Sequence, residues 1–148
     1  MFRHILVPTD GSRLALKGVK AGVKLARAFG ARVTGLYVAA PYLPPMYSEA
    51  SLYLSGVSEK DYRREVERQA KKALAAVEIE AGLAKVACKL ESASDVQPWR
   101  AILRVARARK CDAIAMASHG RGGLGGLILG SETARVLAHS KIPVLVTR

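Results

Sequence analysis

The feature that most constrains the fold is a regular alternation of short apolar runs with longer amphipathic segments along the 148 residues. Five apolar runs predict β-strands at residues 4–8, 32–38, 85–90, 112–117 and 142–146. Helical periodicity predicts helices at 13–29, at about 59–81, in a segment capped by Ser94 or Asp95, and at 131–139. This alternation is typical of a doubly wound α/β domain with a parallel sheet and helices on both faces. We expect one domain over residues 1–148.

The first predicted helix has two glycines on its apolar face, Gly18 and Gly22, and Ser12 stands at its N-cap position. Glycine inside a helix costs about 1 kcal/mol relative to alanine, so a close approach of this helix to the sheet is the expected compensation. A second face of the same helix carries five basic residues: Arg13, Lys17, Lys20, Lys24 and Arg27.

The chain is strongly basic, with 24 Lys and Arg against 12 Asp and Glu, a net charge of +12. Such an excess attracts anions in general and specifies none of them. No apolar run approaches the ~18 residues of a membrane span, so we expect no membrane association. Cys88 and Cys111 are the only cysteines, and we expect both to be reduced, buried thiols of a cytoplasmic protein.

The glycine-rich stretch at residues 118–133 is the most informative segment for function. Gly120, Gly122 and Gly125 satisfy G-x-G-x-x-G, but the acidic residue expected about 20 positions later is missing. Residues 125–131 have P-loop spacing without the lysine that contacts the β- and γ-phosphates. Neither a dinucleotide-binding site nor a P-loop hydrolase is favoured.

The end of this stretch nevertheless has the chemistry of an anion site. Gly130 and Ser131 stand at a predicted helix start, where free N–H groups and the helix dipole favour an anion. The hydroxyls of Ser131 and Thr133 are further donors, and His119 and Arg121 lie nearby in the sequence. Glu132 opposes an anion unless it points to solvent or reaches a metal ion. An ordinary glycine loop with a helix cap remains the alternative.

Four segments together resemble the universal stress protein family, and they span the chain in the family's order: residues 5–12, 115–120, the glycine loop through Gly130-Ser131, and 140–146. The resemblance implies a sheet of order 3-2-1-4-5 and a homodimer formed through the last strand, Pro143 to Val146. It also implies an ATP site of the pattern G-x2-G-x9-G-[S/T]. Gly120, Gly130 and Ser131 match this pattern, whereas Ala117 occupies the first glycine position.

The resemblance further implies the residues of this site. Two loops would form it, Pro8-Thr9-Asp10 after the first strand and the segment from Ala117 through Gly122 to Thr133. Asp10 would lie near the nucleoside and the Val38 backbone would meet adenine. His119, Gly120 and Arg121 would approach ribose and phosphates. Gly130, Ser131, Glu132 and Thr133 would cradle a phosphate chain bridged by Mg²⁺, with ATP, ADP or AMP as ligand.

Two features of this site leave alternatives open. The methyl group of Ala117 is harmless if the backbone at this position has an ordinary β conformation. It crowds the nucleotide if the family's glycine is needed for close approach of the ligand or for a positive φ. Tyr42, Tyr47 and Tyr53 either close over the base or pack within their own loop.

Three functions follow in order of preference. The first is a cytoplasmic stress-response protein, a nucleotide-responsive homodimer with little or no hydrolysis, because no catalytic constellation and no metal-ligand set appears near the glycine loop. The second is a dimer of the same family that binds no nucleotide and acts through protein partners not identified by the sequence. The third, specific nucleic-acid binding, is disfavoured: the sheet order puts the stripe of Arg100, Arg104 and Arg107 opposite that of the first helix, and aromatic residues are only 5%.

Overall fold

A computed structural model describes residues 1–43, 58–119 and 129–148. Its five strands form one parallel sheet in the order β3-β2-β1-β4-β5, which confirms the expected fold class and strand order. The strands are β1 His4–Pro8, β2 Arg32–Ala39, β3 Cys88–Ser94, β4 Ala113–Ala117 and β5 Val144–Thr147. The helices in the described ranges are α1 Arg13–Phe29, α2 Glu59–Ala84, α3 Pro98–Ala108 and α4 Ser131–His139.

The helix α1 packs tightly on the sheet, and its glycines are the reason. A Cβ added at Gly18 would lie 2.5 Å from the Ala117 backbone nitrogen, and one at Gly22 would lie 2.7 Å from Val7 Cγ2. The predicted cap is also confirmed, because the Ala15 N–H donates to Ser12 Oγ over 3.1 Å. These contacts fix the start of α1 directly beside the carboxyl end of β1.

The third strand was predicted at 85–90, which is wrong at both ends. Lys85 has φ of 55° and ends α2, and its N–H donates to helix carbonyls, so the helix continues to Ala84 instead of residue 81. The strand therefore begins at Cys88 and continues through polar residues to Ser94, because β3 is an edge strand with one exposed long side. Its polar half lacks the apolar signal on which the prediction relied.

Two other boundary predictions are also wrong. Ser94 or Asp95 is the predicted cap of α3, but the helix begins at Pro98 with Gln97 at its N-cap position. Asp95 accepts the Gln97 N–H over 3.0 Å, just before the helix. The last strand begins at Val144 and not at Ile142 as predicted. The Ile142 N–H donates to Ser140 Oγ over 3.2 Å, so this residue belongs to the bend before the strand.

Two apolar layers enclose the sheet. On one face, Val19 and Val23 of α1 pack with Val77 of α2, and on the other, Ile102 of α3 packs in a cluster with Val136 of α4. The basic stripes of α1 and α3 therefore lie on opposite faces. Both cysteines are free thiols; Cys111 is buried as expected, whereas Cys88, on the edge strand β3, is only half-buried. Within the described ranges, no helix combines the length and the apolar character that crossing a bilayer requires.

Candidate functional site

A cleft opens at the carboxyl ends of β1 and β4, the neighbouring strands at which the strand order reverses. Doubly wound sheets bind ligands at this position, because the connections from the two strands leave toward opposite faces. The cleft has a volume of about 190 Å³. Since typical pockets for drug-sized ligands measure about 300–1,000 Å³, a cleft of this size encloses only part of a nucleotide-sized ligand.

The turn after β1 forms one side of the cleft, and its conformation is set by side-chain hydrogen bonds. The Ser12 N–H donates to Asp10 Oδ1 over 2.9 Å, and the Gly11 N–H donates to Thr9 Oγ1 over 3.2 Å. Gly11 has φ of 77°, a conformation that favours glycine. Asp10 thus helps to set the conformation of this turn, and it also lines the cleft.

Apolar side chains form most of the remaining wall. Val38 lines the cleft, and so do five residues that the sequence did not indicate: Ala15, Leu36, Pro98, Ile102 and Met116. They carry no chemical signal that separates them from core residues. Pro98 and Ile102 belong to α3, so only the three-dimensional fold reveals that α3 contributes to the cleft.

Gly130 brings the start of α4 against the end of β4. Its N–H donates to the Ser118 carbonyl over 2.8 Å, and a Cβ added here would also lie 2.8 Å from that oxygen. Because this neighbour is a backbone atom, no flexible side chain could move aside to make room for the added Cβ. The N–H groups of the first turn of α4 have no partners within the helix, as at every helix start.

Glu132 and Thr133 line the cleft, but their polar atoms already have protein partners. The Thr133 hydroxyl is buried and donates to the Ala117 carbonyl over 3.0 Å. Glu132 Oε2 accepts the Trp99 backbone N–H over 2.8 Å, and Glu132 Oε1 accepts from Arg135 Nη1 over 3.1 Å. Both side chains fix α4 in place, and the Thr133 proton is not directed at a ligand in this geometry.

A family model for the universal stress protein family matches residues 1–148. This chain belongs to that family. It is 30% identical over 150 residues to a universal stress protein of Methanocaldococcus jannaschii, covering 100% of this chain and 83% of the relative. It is 31% identical over 151 residues to one of Thermus aquaticus, covering 100% of both chains.

Solved structures share the fold along nearly the whole chain. The hypothetical protein MJ0577 superposes with a TM-score of 0.76 at 26% identity, over 99% of this chain and 96% of its own. A universal stress protein in complex with cAMP has a TM-score of 0.72 at 23% identity, over 99% of this chain and 97% of its own. A universal stress protein from Archaeoglobus fulgidus in complex with dAMP has a TM-score of 0.62 at 17% identity, over 100% of this chain and 98% of its own. Because the last two structures are only 23% and 17% identical to this chain, they show that the fold is shared and nothing more.

Ala117, which stands where the family pattern has its first glycine, has ordinary strand geometry. It is the last residue of β4 and pairs with Thr147 of β5. Among the described residues other than glycine, positive φ occurs only at Lys85 and Lys110. The requirement for a glycine-only conformation is therefore excluded at this position, and only the space taken by the methyl group remains at issue.

Most of the predicted site residues that the structure describes line one cleft: Pro8, Thr9, Asp10, Val38, Ala117, His119, Glu132 and Thr133. Gly130 and Ser131 stand beside it, at the start of α4. Gly120, Arg121 and Gly122 lie outside the described residues, as do Tyr47 and Tyr53. Tyr42 packs against Tyr62 of α2 with ring centroids 5.5 Å apart, which favours the packing role.

Proposed function

We propose that this universal stress protein binds an adenine nucleotide, with the base in the apolar cleft and the phosphates at the start of α4. The observation that carries the proposal is the position of Gly130, which has no room for a Cβ and brings a helix N-terminus beside an apolar cleft. Helix N-termini favour phosphate through free N–H groups and the helix dipole. The family structures with cAMP and dAMP support the ligand class.

Each end of the cleft has a separate role in this proposal. Val38 and the other apolar wall residues exclude water from the base, and Asp10 accepts hydrogen bonds from ribose hydroxyls. Ser131 and the first-turn N–H groups of α4 bind phosphate oxygens. From the sequence pattern, His119, Gly120, Arg121 and Gly122 complete the phosphate side. The cofactor is ATP, ADP or AMP.

Mg²⁺ would be held mainly by the nucleotide itself. No group of three or more His, Cys, Asp or Glu side chains suited to a metal occurs in the described part of the chain. A hydrated Mg²⁺ bound through phosphate oxygens requires few protein ligands. When bound, the ion would neutralise part of the negative charge of the phosphates.

We infer that nucleotide occupancy, and not turnover, is the functional event, so hydrolysis is slow or absent. Among the described residues, Asp10 and Glu132 are the carboxylates that line the cleft, and both have structural partners. Glu132 accepts from Trp99 and Arg135, and Asp10 accepts from Ser12. A general base must lie within hydrogen-bond reach of the proton that it removes. Glu132 is held through both oxygens at the contact between α3 and α4, and Asp10 binds the ribose in this proposal, so neither carboxylate is assigned to activating a water.

We further propose a homodimer through Pro143 to Val146, a stretch that covers most of the edge strand β5 and the residue before it. Leu145 is 39% exposed on this edge. The opposite edge, β3, carries charged Lys89 and Glu91, which disfavour pairing with another strand. Because α4 leads directly toward β5, a nucleotide at the start of α4 acts on the element next to the dimer edge.

The substitution Gly130→Ala tests the site. We expect the affinity for Mg-ATP to fall at least about tenfold, an effect of 1.4 kcal/mol, because the new methyl meets the Ser118 carbonyl. Gly82→Ala is the matched control, since a Cβ there meets nothing within 4 Å. Circular dichroism and sedimentation report whether fold and dimer persist. Full affinity in a folded Gly130→Ala protein would refute the site.

A second candidate function rests on Ala117, which lines the same cleft. If that methyl closes the site, the protein is a nucleotide-free dimer that acts through protein partners. Ala117→Gly separates the two functions. Under the nucleotide proposal, its affinity for Mg-ATP stays within about threefold of the native value, an effect below 1 kcal/mol. Appearance of binding that the native chain lacks supports the second candidate.

A further inference from the structure

A second pocket lies at the opposite end of the sheet from the nucleotide cleft. It is formed where the chain enters β4 and β5, between the ends of α3 and α4, and its volume is about 320 Å³. Cys111 precedes β4 and Ile142 precedes β5. Because the cleft stands at the carboxyl ends of the strands, this pocket at their amino ends is a separate site.

The rim of this pocket is basic. Arg107, Lys110, Lys141 and His139 line it, and no described acidic residue does. Nearby arginines on the same helix face or turn are neutralised, since Arg104 pairs with Asp95 at 2.9 Å and Arg109 with Glu91 at 2.7 Å.

The rim cations differ from these neighbours. Among the described residues, neither Arg107 nor Lys110 nor Lys141 forms an ion pair. Three exposed positive charges therefore remain available at one pocket. We call these three residues and His139 the basic rim.

The floor of the pocket is apolar. Ala106 and Cys111 are buried, and Leu103 and Ile142 are half-buried. Burial raises the pKa of the Cys111 thiol to about 11, so it is neutral and adds no negative charge. An inorganic ion would leave this floor uncovered, whereas a ligand with an apolar body would cover it.

His139 is held at the rim by two contacts. Its Nδ1 lies 2.9 Å from the Arg135 carbonyl, and its ring stacks on Trp99 with centroids 4.5 Å apart. The ring therefore has a fixed orientation beside the pocket.

Part of the positive charge of the basic rim is offset by the negative partial charges at the C-termini of two helices. The pocket adjoins the C-termini of α3 and α4, and each helix end is equivalent to roughly −0.5 elementary charge. Two ends remove about one of the three rim charges, which leaves about +2. A surplus of this size matches a phosphate monoester, which carries about −1.5 to −2 at neutral pH.

We propose that this pocket binds a small organic phosphate, with its dianionic head on the basic rim and its apolar body on the floor. Arg107 offers a planar fork suited to two phosphate oxygens, and Lys110 and Lys141 act as point charges. The ligand is a free phosphate ester or a lipid phosphate headgroup, since both present the same chemistry.

The test is a titration of the full chain with phenyl phosphate, followed by amide chemical shifts and by calorimetry. We expect saturable shifts at Cys111 and Ile142, and weaker binding of inorganic phosphate because it lacks an apolar body. The double variant Arg107→Ala/Lys141→Ala should bind at least about tenfold more weakly. The matched control is Lys24→Ala/Arg27→Ala on α1, which removes the same charge elsewhere and should leave the affinity unchanged.

Vesicles of phosphatidylcholine with and without phosphatidic acid separate the two sources. Retention on phosphatidic acid vesicles that is lost only in the pocket variant identifies a lipid headgroup, and binding of phenyl phosphate alone identifies a free ester. Equal weakening in both double variants would overturn the proposal, because it would reflect overall charge. Absence of saturable binding to either probe, or shifts confined to the nucleotide cleft, would overturn it as well.

Discussion

The Trp99 backbone N–H donates to the side chain of Glu132, with 2.8 Å between nitrogen and Oε2. A residue in the first turn of α4 thereby caps α3, whose own N-cap residue, Gln97, makes no side-chain cap hydrogen bond. Because Pro98, Ile102 and Glu132 all line the cleft, this contact fixes the distance between two of its walls.

Glu132→Ala should lower the free energy of unfolding by about 1 kcal/mol, the usual effect of losing a helix cap. Urea denaturation measures it. Glu67→Ala, at an exposed position on α2, is the control and should change stability by less than about 0.5 kcal/mol. Equal losses in the two variants would show that the cap is not what Glu132 contributes.

Gly18→Ala should destabilise the protein by about 1–3 kcal/mol, because overpacking against a backbone cannot be relieved by a rotamer change. The added Cβ would lie 2.5 Å from the Ala117 nitrogen. Gly82→Ala, with open space around it in α2, should instead stabilise by about 0.5–1 kcal/mol. Thermal denaturation compares them, and a shift of the same sign in both would contradict the packing account.

Acidification should destabilise the fold through His4. This side chain is buried, with Nε2 2.8 Å from Thr34 Oγ1 and Nδ1 3.1 Å from the Arg109 carbonyl. Burial, and next the charge of Arg32, lower the pKa of His4 below the ordinary histidine value of 6.5. The unfolded chain therefore takes up the proton first, so the stability due to neutral His4 is complete above about pH 6.5 and is lost as pH falls below it.

Urea denaturation at several pH values from about 7.5 to 5 checks this dependence, whose slope from one group cannot exceed about 1.4 kcal/mol per pH unit. His4→Gln should flatten the slope, whatever it does to absolute stability. The control His139→Gln, at an exposed site, should retain it. An unchanged slope in His4→Gln would assign the pH dependence to other groups.

The sequence predicted those features whose signals are local. Ser12 and Gly30 mark both ends of α1, and the structure has a cap hydrogen bond at the first and φ of 64° at the second. The glycine loop likewise located the start of α4 at Ser131. Strand β3 was misplaced because an edge strand continues through polar residues that lack an apolar pattern.

The site was predictable only in part, for the same physical reason. Asp10 follows β1 and Ala117 is the last residue of β4, so the rule for parallel sheets brings them together at the carboxyl ends of the strands. The contact between Trp99 and Glu132 joins residues 33 positions apart on two different helices, and no sequence pattern specifies it. The apolar cleft wall was missed because a wall residue and a core residue look alike in a sequence.

The most direct test of nucleotide binding is calorimetric titration of nucleotide-stripped protein with Mg-ATP at near-physiological salt. Mg-GTP and inorganic phosphate are the controls, because a protein of net charge +12 binds anions loosely. We expect saturable binding of Mg-ATP at least about tenfold tighter than that of either control, or 1.4 kcal/mol. Equal weak heats from all three, or none, would contradict a nucleotide site in the cleft.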